Sequence, residues 1–416
     1  MLIVTWLGGG ATQPAIGLGR ELSARGHRVR VLAPARFARR IAAAGCEHVA
    51  HPAAAEFDPG HGRAMEDQSP FLEATFFGPW LAAAVAGQVA ADRPDVVVVD
   101  YLLRSALCEV EAHGIPLVVL VHMAHRCHAG LGGDPDAPWG WRWQYRRVNE
   151  LRAASGLPPL PAGPEPLSVA LARRADRALV VLPPGFDSWP DPPPSVVHTG
   201  PIAEEAGPAP WVPPWPDGDD RPLVVVTCGT TYMHQEGTLR RILGALDGLG
   251  VRVLLLTGLE LDPAEVPAGP GVCVEAYVPH AAVLPRAAAV VSHAGVGSLL
   301  EAFRAGVPSV CLPLGRDQAD NAAAAAERGA AIALEPGATA GEIRAAVSRA
   351  LTSPALRRAA RRLAGEMAAC GGGPAAAEEV EQVALRPRGA GRLSGRQVGS
   401  VAAAASAAQL AGQLGP

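Results

Sequence analysis

Lysine is absent from this sequence of 416 residues, so all 36 basic residues are arginine. The absence excludes the lysine of P-loop nucleotidases, the Schiff-base lysine of pyridoxal phosphate enzymes and class I aldolases, and the protein-kinase lysine. Aromatic residues are scarce, at 5%, and 40 acidic residues offset the arginines. This balance predicts no basic surface for nucleic acid, so we expect no nucleic-acid partner.

Cysteine pairing is also missing. The seven cysteines are odd in number, and no two have the C-x-x-C spacing. The pattern predicts buried free thiols in a cytoplasmic protein, with neither a disulfide framework nor a zinc site. The segment MLIVTWLGGG lacks the basic start and cleavage site of a signal peptide. No uninterrupted apolar run reaches about 18 residues, so no membrane span is predicted.

The first half of the chain alternates predicted strands and helices. Its strands are β-branched runs without polar alternation, which is typical of a parallel sheet covered on both faces. We predict strands over Leu2–Trp6, Arg28–Ala33, Asp95–Val99 and Pro116–Val121. We predict helices over Gln13–Arg25, Leu72–Ala91 and Leu102–Ala112. The pattern indicates a doubly wound α/β domain over residues 1–200.

A second α/β domain follows a linker. Residues 201–222 are too rich in proline for core structure, and the strand pattern resumes with LVVVT at Leu223–Thr227. We place the second domain at 223–385 and a disordered tail at 386–416, where the composition becomes repetitive. The predicted fold class is therefore α/β, with two Rossmann-like domains facing each other across a cleft. Ligands of such sheets bind at the carboxyl ends of the strands.

The segment with most chemical information is VVSHAGVGSLLEAFRAGVPSVCLPLGRDQADN. A predicted strand ends at Ser292, His293 follows, and a glycine-rich turn opens a helix. Such a turn binds phosphate, because free backbone N–H groups and the helix dipole favour anions. Ser298 and His293 add donors. Glu301, one turn further along the helix, can accept from ribose hydroxyls.

Taken singly, these residues also have ordinary structural interpretations. Asp317 can cap the following helix, and Glu301 can be a solvated helix residue. A histidine, two glycines, a serine, a glutamate and a later Asp-Gln in this order are much more specific. The pattern H-x-G-x-G-S-x-x-E followed by D-Q-x-x-N resembles the nucleotide-sugar signature of family 1 GT-B glycosyltransferases. That family includes plant secondary-metabolite and bacterial antibiotic glycosyltransferases.

The resemblance implies a site for the diphosphate. His293 and Ser298 would bind the pyrophosphate, and Gly295 and Gly297 would let the backbone approach it. Thr230, in a Cys-Gly-Thr-Thr loop after a predicted strand, would also meet the phosphates. With these donors and the helix N-terminus, we expect no metal and no other cofactor.

The resemblance also implies a site for the rest of the donor. Tyr277 would stack on the base, with Val278 supplying main-chain contacts, and Glu301 would bind the ribose. Asp317 and Gln318 would hold the donor sugar. The proline-, glycine- and arginine-rich composition suits an actinobacterial natural-product pathway. It favours a dTDP-deoxysugar donor, with a UDP-sugar as the alternative.

The first half departs from the family at the catalytic base. Family members place a His or Asp three residues before the proline of the first helix, and that position is Ala11 here. Asp100 matches the aspartate that usually orients the base, and we expect it to have no imidazole to orient. The candidate substitutes for the base, in order, are Asp100, His122 and His61. An acidic acceptor that needs no protein base is the other possibility.

The predicted reaction is transfer of a sugar from a nucleoside diphosphate sugar to a hydrophobic aglycone, with inversion at the anomeric carbon. Trp139, Trp141 and Trp143 are expected in the acceptor wall. The alternative, which Ala11 supports, is a catalytically deficient auxiliary protein that activates a partner glycosyltransferase. A third interpretation is a sugar-nucleotide epimerase of the same fold. A monomer or homodimer is expected.

Overall fold

A computed structural model shows two parallel α/β units, as the sequence predicts. It describes residues 1–51, 69–124, 135–136, 139–161, 165–186, 191–204, 211–229, 233–258, 261–266 and 268–386. The predicted tail beyond residue 386 therefore lies outside the described residues. Within the linker, Trp211 and Trp215 pack against the core of the second unit, so this end of the linker is anchored there.

The first unit contains a seven-stranded parallel sheet in the order β3-β2-β1-β4-β5-β6-β7. The strands are β1 Leu2–Val4, β2 Arg30–Ala33, β3 Glu47–Ala50, β4 Val97–Asp100, β5 Leu117–Val121, β6 Arg177–Val180 and β7 Val196–His198. In the register, Val4 pairs with Leu32 on one side and Val99 on the other. The strand order reverses between β1 and β4, and a crevice for ligands opens at such a point.

Helices cover both faces of this sheet. They are α1 Gly9–Ala24, α2 Ala38–Ala43, α3 Ser69–Phe77, α4 Pro79–Ala91, α5 Arg104–Ala112, α6 Trp141–Ala154 and α7 Leu167–Ala172. Helix α1 begins earlier than predicted and includes Gly9 and Gly10, with Pro14 inside it. Gly8 is the residue that caps this helix, and the helix N-terminus lies beside the crevice.

A long apolar segment spans most of α3 and all of α4. Phe71–Ala91 is long and apolar enough to cross a membrane by length and composition, with a mean hydropathy of 1.3. The helical conformation is interrupted at Gly78, between α3 and α4. The α4 residues Leu81, Val85 and Val89 are buried in the core. Core helices of folded domains share this composition, so the absence of a membrane span stays a prediction.

The second unit repeats the architecture with a six-stranded parallel sheet in the order β10-β9-β8-β11-β12-β13. Its strands are β8 Leu223–Thr227, β9 Arg252–Leu256, β10 Val272–Glu275, β11 Ala287–Ser292, β12 Ser309–Cys311 and β13 Ala331–Ala333. Its helices are α8 Glu236–Leu246, α9 His280–Val283, α10 Val296–Arg304, α11 Gln318–Glu327, α12 Ala340–Thr352 and α13 Pro354–Ala369. The order reverses between β8 and β11, which places the second crevice beside His293.

The last described helix, α14 Gly372–Leu385, returns to the first unit. Ala376, Ala377, Val380 and Val383 are fully buried in a core with Ile16 and other residues of the first sheet and α1. Ion pairs add to this contact, with Glu381 accepting from Arg25 at 3.0 Å and Glu379 pairing with Arg177. The boundary at 385 assigns this helix to the second domain, whereas its packing assigns it to the first.

Candidate active site

The turn between β11 and α10 is strained and closely held. Ala294 adopts a φ of 64°, in the left-handed region that residues with a Cβ rarely enter. Its N–H donates to the Ser292 hydroxyl at 3.2 Å, and its carbonyl accepts from the Asn321 side chain at 3.2 Å. Asn321 is fully buried and also donates to Asp317 at 2.8 Å. Asn321 has no predicted role beyond its place in the D-Q-x-x-N pattern. It follows Asp317 by four residues, a spacing that brings two side chains together on a helix.

Two glycines make room for the His293 ring. A Cβ at Gly295 would overlap Nε2 of the ring, and one at Gly229 would lie 2.9 Å from Cε1. Gly229 also has a φ of 89°, which favours glycine. Burial lowers the pKa of His293 to about 4, so the imidazole is neutral at pH 7. His293 can therefore donate one N–H to an anion, but it carries no positive charge there.

Helix α10 presents its N-terminus beside this ring. Gly297 and Ser298 lie in its first turn and are partly buried, and a Cβ at Gly297 would have open space around it. The first N–H groups of a helix have no partners within it, and the dipole favours an anion at this end. The arrangement can hold a diphosphate.

Glu301 lies one turn further along α10 and is already engaged. Its Oε2 accepts from Arg304 at 2.6 Å, and its side chain is 9% exposed. Burial lowers the pKa of His280 to about 4, and the positive charge of Arg304 contributes to the shift. The resemblance assigns the Glu301 carboxylate to the ribose. Arg304 engages its Oε2, and Oε1 is the oxygen that Arg304 leaves open.

Tyr277 and Val278 follow β10 and differ in exposure. The Tyr277 side chain is among the exposed large apolar groups, at 56%, whereas Val278 is buried and packs in the second core of this unit. An exposed aromatic face can stack on a nucleobase. The geometry is compatible with the predicted roles of both residues.

Asp317 and Gln318 have different surroundings. Gln318 is 2% exposed, and its Oε1 accepts from the backbone N–H groups of Leu314 at 2.7 Å and Gly315 at 3.2 Å. Its amide also donates to Met233 Sδ at 3.2 Å. These contacts make Gln318 an organiser of the loop that carries Asp317. Of the two predicted sugar ligands, the partly exposed Asp317 has the better access to a donor.

In the first unit the structure joins two of the predicted base candidates. Nδ1 of His122 lies 2.8 Å from Oδ2 of Asp100, and both side chains are buried. Oδ1 of Asp100 accepts the N–H of Leu102 at 3.0 Å, which fixes the carboxylate at the end of β4. The expectation that Asp100 has no imidazole to orient is therefore wrong. The imidazole comes from the end of β5, since β4 and β5 are paired neighbours.

His122 also lies where the two units meet. A Cβ at Gly10 would be 3.0 Å from Cδ2 of His122 and 3.5 Å from Cγ1 of Val296, the first residue of α10. Gly10 thus lets the His122 ring and α10 approach the same point of α1. Ala11 is fully buried in the apolar core, so this position cannot contribute to proton transfer.

The remaining predicted residues lie elsewhere. His61 and Thr230 lie outside the described residues. His51, at the end of β3, packs its ring 5.5 Å from that of Trp80, and burial lowers its pKa to about 4. In the part of the chain that the structure describes, no three His, Cys, Asp or Glu side chains are grouped so as to hold a metal ion.

Comparison with known proteins agrees with the fold and with a glycosyltransferase. Residues 242–384 match the family model described as Erythromycin biosynthesis protein CIII-like, C-terminal domain. The chain is 28% identical to oleandomycin glycosyltransferase of Streptomyces antibioticus, over 89% of this chain and 88% of the relative. It is 28% identical to 4'-demethylrebeccamycin synthase of Lentzea aerocolonigenes, over 89% and 96% of the two chains.

A solved structure gives the same answer for the complete fold. The calicheamicin glycosyltransferase CalG4 is 25% identical, with a TM-score of 0.73, and the alignment covers 93% of this chain and 99% of that one. The chain is thus similar along most of its length to natural-product glycosyltransferases and has their GT-B fold. The resemblance predicted from the motif is confirmed, and so is a glycosyltransferase activity. In this glycosyltransferase the first unit carries the Asp100–His122 pair. The second carries the turn at residues 293–298, which is called the phosphate turn below after its predicted role.

Proposed function

We propose that this glycosyltransferase moves a sugar from a nucleoside diphosphate sugar to a hydrophobic natural-product aglycone with inversion, using His122 as its general base. The contact of 2.8 Å between His122 and Asp100 carries the proposal. Oδ2 of Asp100 and Nδ1 of His122 lie within ion-pair distance, and neither atom has a hydrogen bond of good geometry to a described residue. In the proposal a small turn of the ring aligns Nδ1–H with Oδ2, which leaves the lone pair of Nε2 to accept a proton. Asp100 also stabilises the imidazolium that forms.

The reaction then follows from the placement of the two units. His122 Nε2 takes the proton of an acceptor hydroxyl as its oxygen attacks the anomeric carbon. The bond to the nucleoside diphosphate breaks, and the N-terminus of α10 with Ser298 and His293 stabilises the leaving negative charge. Base and phosphate turn belong to different units, so attack from the side opposite the leaving group inverts the anomeric centre. These donors let the reaction proceed without a metal or another cofactor.

The ion pair of Glu301 supports a dTDP-deoxysugar donor. Arg304 engages Oε2, which leaves Oε1 to accept from one hydroxyl. The deoxyribose of dTDP presents one hydroxyl, whereas the ribose of UDP presents two. We therefore propose dTDP-sugar as the preferred donor and UDP-sugar as the weaker one. A cytoplasmic location and a monomeric or homodimeric state complete the proposal.

The test is a turnover assay with dTDP-glucose and UDP-glucose and a panel of phenolic and polyketide aglycones. Release of nucleoside diphosphate and the mass and anomeric configuration of the product are measured for the wild type and His122→Gln. The proposal expects an inverted product and a large loss in the variant. If the wild type has no turnover but stimulates a partner glycosyltransferase, the auxiliary role that Ala11 supports replaces it.

A further inference from the structure

Arg104 is a buried cation close to the proposed base. It is the first residue of α5, four positions after Asp100, and is 4% exposed. Burial lowers its pKa to about 10, while nearby Tyr101 and Asp100 oppose the shift, so the guanidinium stays charged at pH 7. A charge taken out of water is costly unless hydrogen bonds or an opposite charge compensate it.

The surroundings of Arg104 are mainly aromatic. Its Cζ lies 5.8 Å from the ring centre of Phe76, 5.6 Å from that of Phe77 and 5.6 Å from that of Tyr101. Aromatic faces attract a guanidinium, but they accept no ordinary hydrogen bonds. Nη2 makes a long contact of 3.4 Å to Gln144 Oε1, and Nε and Nη1 have no partner among the described residues. Three N–H groups of a buried cation are therefore left for something else.

Arg152 shows what a satisfied buried arginine looks like in the same unit. It is 1% exposed, and its Nη1 and Nη2 donate to the two oxygens of Glu111 at 2.6 and 3.2 Å. Its Nε donates to the Pro158 carbonyl at 2.7 Å. Arg104 has no ion pair of this kind with a described residue. The difference separates an arginine that builds the fold from one whose N–H groups await a ligand.

The position of Arg104 indicates which ligand. The Tyr101 ring lies 5.2 Å from the His122 ring and also contacts the Arg104 guanidinium, so cation and base border one aromatic residue. Trp139 and Trp143 extend the aromatic surface, with ring centres 6.0 Å from Phe76 and 5.3 Å from Phe77 respectively. Flat aromatic faces around a guanidinium suit a planar aromatic molecule that carries an anionic oxygen.

We propose that Arg104 binds the carboxylate of an aromatic acceptor, whose neighbouring hydroxyl then faces His122. The inference rests on the proposed function for the place of the hydroxyl. It adds a chemical class for the aglycone: a planar hydroxyaryl carboxylate. Binding brings the anion to a cation that has no ion-pair partner among the described residues, and its free N–H groups can donate to the carboxylate.

Binding without donor tests the proposal. We would measure, by calorimetry at pH 7.5, the affinity of three hydroxyaryl acids and of the neutral phenols that lack the carboxylate. The pairs are 3-hydroxy-2-naphthoate with 2-naphthol, 1-hydroxy-2-naphthoate with 1-naphthol, and salicylate with phenol. In at least one pair, the acid should bind at least about tenfold tighter to the wild type. In Arg104→Met the preference should fall below about twofold, whereas Arg173→Met, at an exposed surface position, should retain it.

The outcomes separate this proposal from the proposed function. No pair with a tighter acid in the wild type, or a preference that survives in Arg104→Met, overturns the role of Arg104. Arg104→Lys, which keeps the charge but loses the planar fork, should give an intermediate preference if Arg104→Met does not fold. A preference for the acid with no sugar transfer to any acceptor would leave the anion site standing and overturn the proposed function.

Discussion

The two crevices of this glycosyltransferase treat their polar groups differently. At the second sheet, the side chains of Asn321 and Gln318 form hydrogen bonds with backbone groups of the neighbouring turns and fix their shape. Buried polar atoms without partners among the described residues are more numerous at the first sheet, where they include Trp6 Nε1, Thr75 Oγ1, Trp80 Nε1, Ser105 Oγ, Asp100 Oδ2, His122 Nδ1, and Nε and Nη1 of Arg104. At the second sheet, His293 Nδ1 and Ser309 Oγ also lack partners among the described residues. A buried polar atom without a partner costs free energy, so such a group of atoms is typical of a ligand site.

The difference fits the two proposed substrates. The proposed donor presents a diphosphate, and a turn with preformed N–H groups can receive its anionic oxygens without rearrangement. An aglycone must be oriented by a few groups among apolar walls, and those groups lose their water only when it binds. A change in the shape of the turn should therefore affect the donor side most. Loss of a charge or of a proton acceptor should affect the acceptor side most.

The largest effect is expected from removing the base. His122→Gln keeps a polar side chain of similar size but cannot take a proton, so kcat should fall by about 10²- to 10⁴-fold. Asp100→Asn should lower kcat by at least about tenfold, because the amide no longer stabilises the imidazolium. Initial rates at saturating acceptor measure both, and the donor KM should stay near that of the wild type.

A surface histidine serves as the control. His113→Gln, at the end of α5 beside Glu109, should leave kcat unchanged. A His122→Gln enzyme with wild-type kcat would show that no protein base operates at this position, and an acidic acceptor would then explain the chemistry.

The second largest effect compares the two buried arginines. Arg152→Met removes three hydrogen bonds, two of them to Glu111, and should destabilise the fold by about 3 kcal/mol, although Arg174 still pairs with Glu111. Arg104→Met removes a buried charge that lacks an ion-pair partner among the described residues. We expect its free energy of unfolding to equal that of the wild type or to exceed it by up to about 4 kcal/mol. Urea unfolding followed by circular dichroism compares them. Equal losses in the two variants would contradict the contrast between the crevices.

Sequence reasoning identified the fold because burial on both faces leaves a clear pattern. Continuous apolar runs such as Leu223–Thr227 predict central strands, and they were found. Strand β3, Glu47–Ala50, has partly exposed residues and was not predicted. The return of α14 to the first unit depends on tertiary packing of small residues such as Ala376, which has no local signal.

The two halves of the site also differ in how local they are. The phosphate turn is local, because His293, Gly295 and Ser298 follow one another along six residues. Asp100 and His122 are 22 positions apart and are brought together by the pairing of β4 with β5. Their sequence neighbourhoods name each residue as a candidate, but they do not reveal the contact. The burial of Gln318 has no sequence signal either, since the N–H groups of Leu314 and Gly315 converge on its Oε1 only in the folded loop.

Acid should destabilise the donor side. The pKa of His293 is lowered to about 4 by burial, whereas an unfolded histidine titrates near 6.5. Between these values the unfolded chain binds more protons, so stability falls as the pH drops from about 6.5 to 4, by about 3 kcal/mol for this residue. Urea unfolding at several pH values measures the slope. His293→Asn should make the slope shallower without removing it, because the pKa values of His51 and His280 are lowered to about 4 as well. Ser298→Ala, a change without titration in the same site, should leave the slope unchanged.

A smaller effect separates two glycines of the phosphate turn. In Gly295→Ala, the methyl group overlaps Nε2 of His293, and displacing the ring should cost about 1–3 kcal/mol of stability. In Gly297→Ala, the methyl group meets open space, so the free protein should be as stable as the wild type or slightly more so. Binding of dTDP should weaken in both. Equal stability losses in the two variants would show that His293 does not depend on the missing side chain of Gly295.

The smallest effect concerns the choice between dTDP and UDP. Arg304→Gln removes the ion pair at Oε2 of Glu301 and frees that oxygen for a second ribose hydroxyl. One added hydrogen bond is worth about 0.5–1.5 kcal/mol, so kcat/KM for UDP-glucose relative to dTDP-glucose should rise by about two- to tenfold. Competition between the two donors for one acceptor measures the ratio directly. Arg286→Gln, on the same unit but away from Glu301, is the control. An unchanged ratio would mean that Oε2 is not what limits ribose recognition, and the preference for a deoxyribose would need another source.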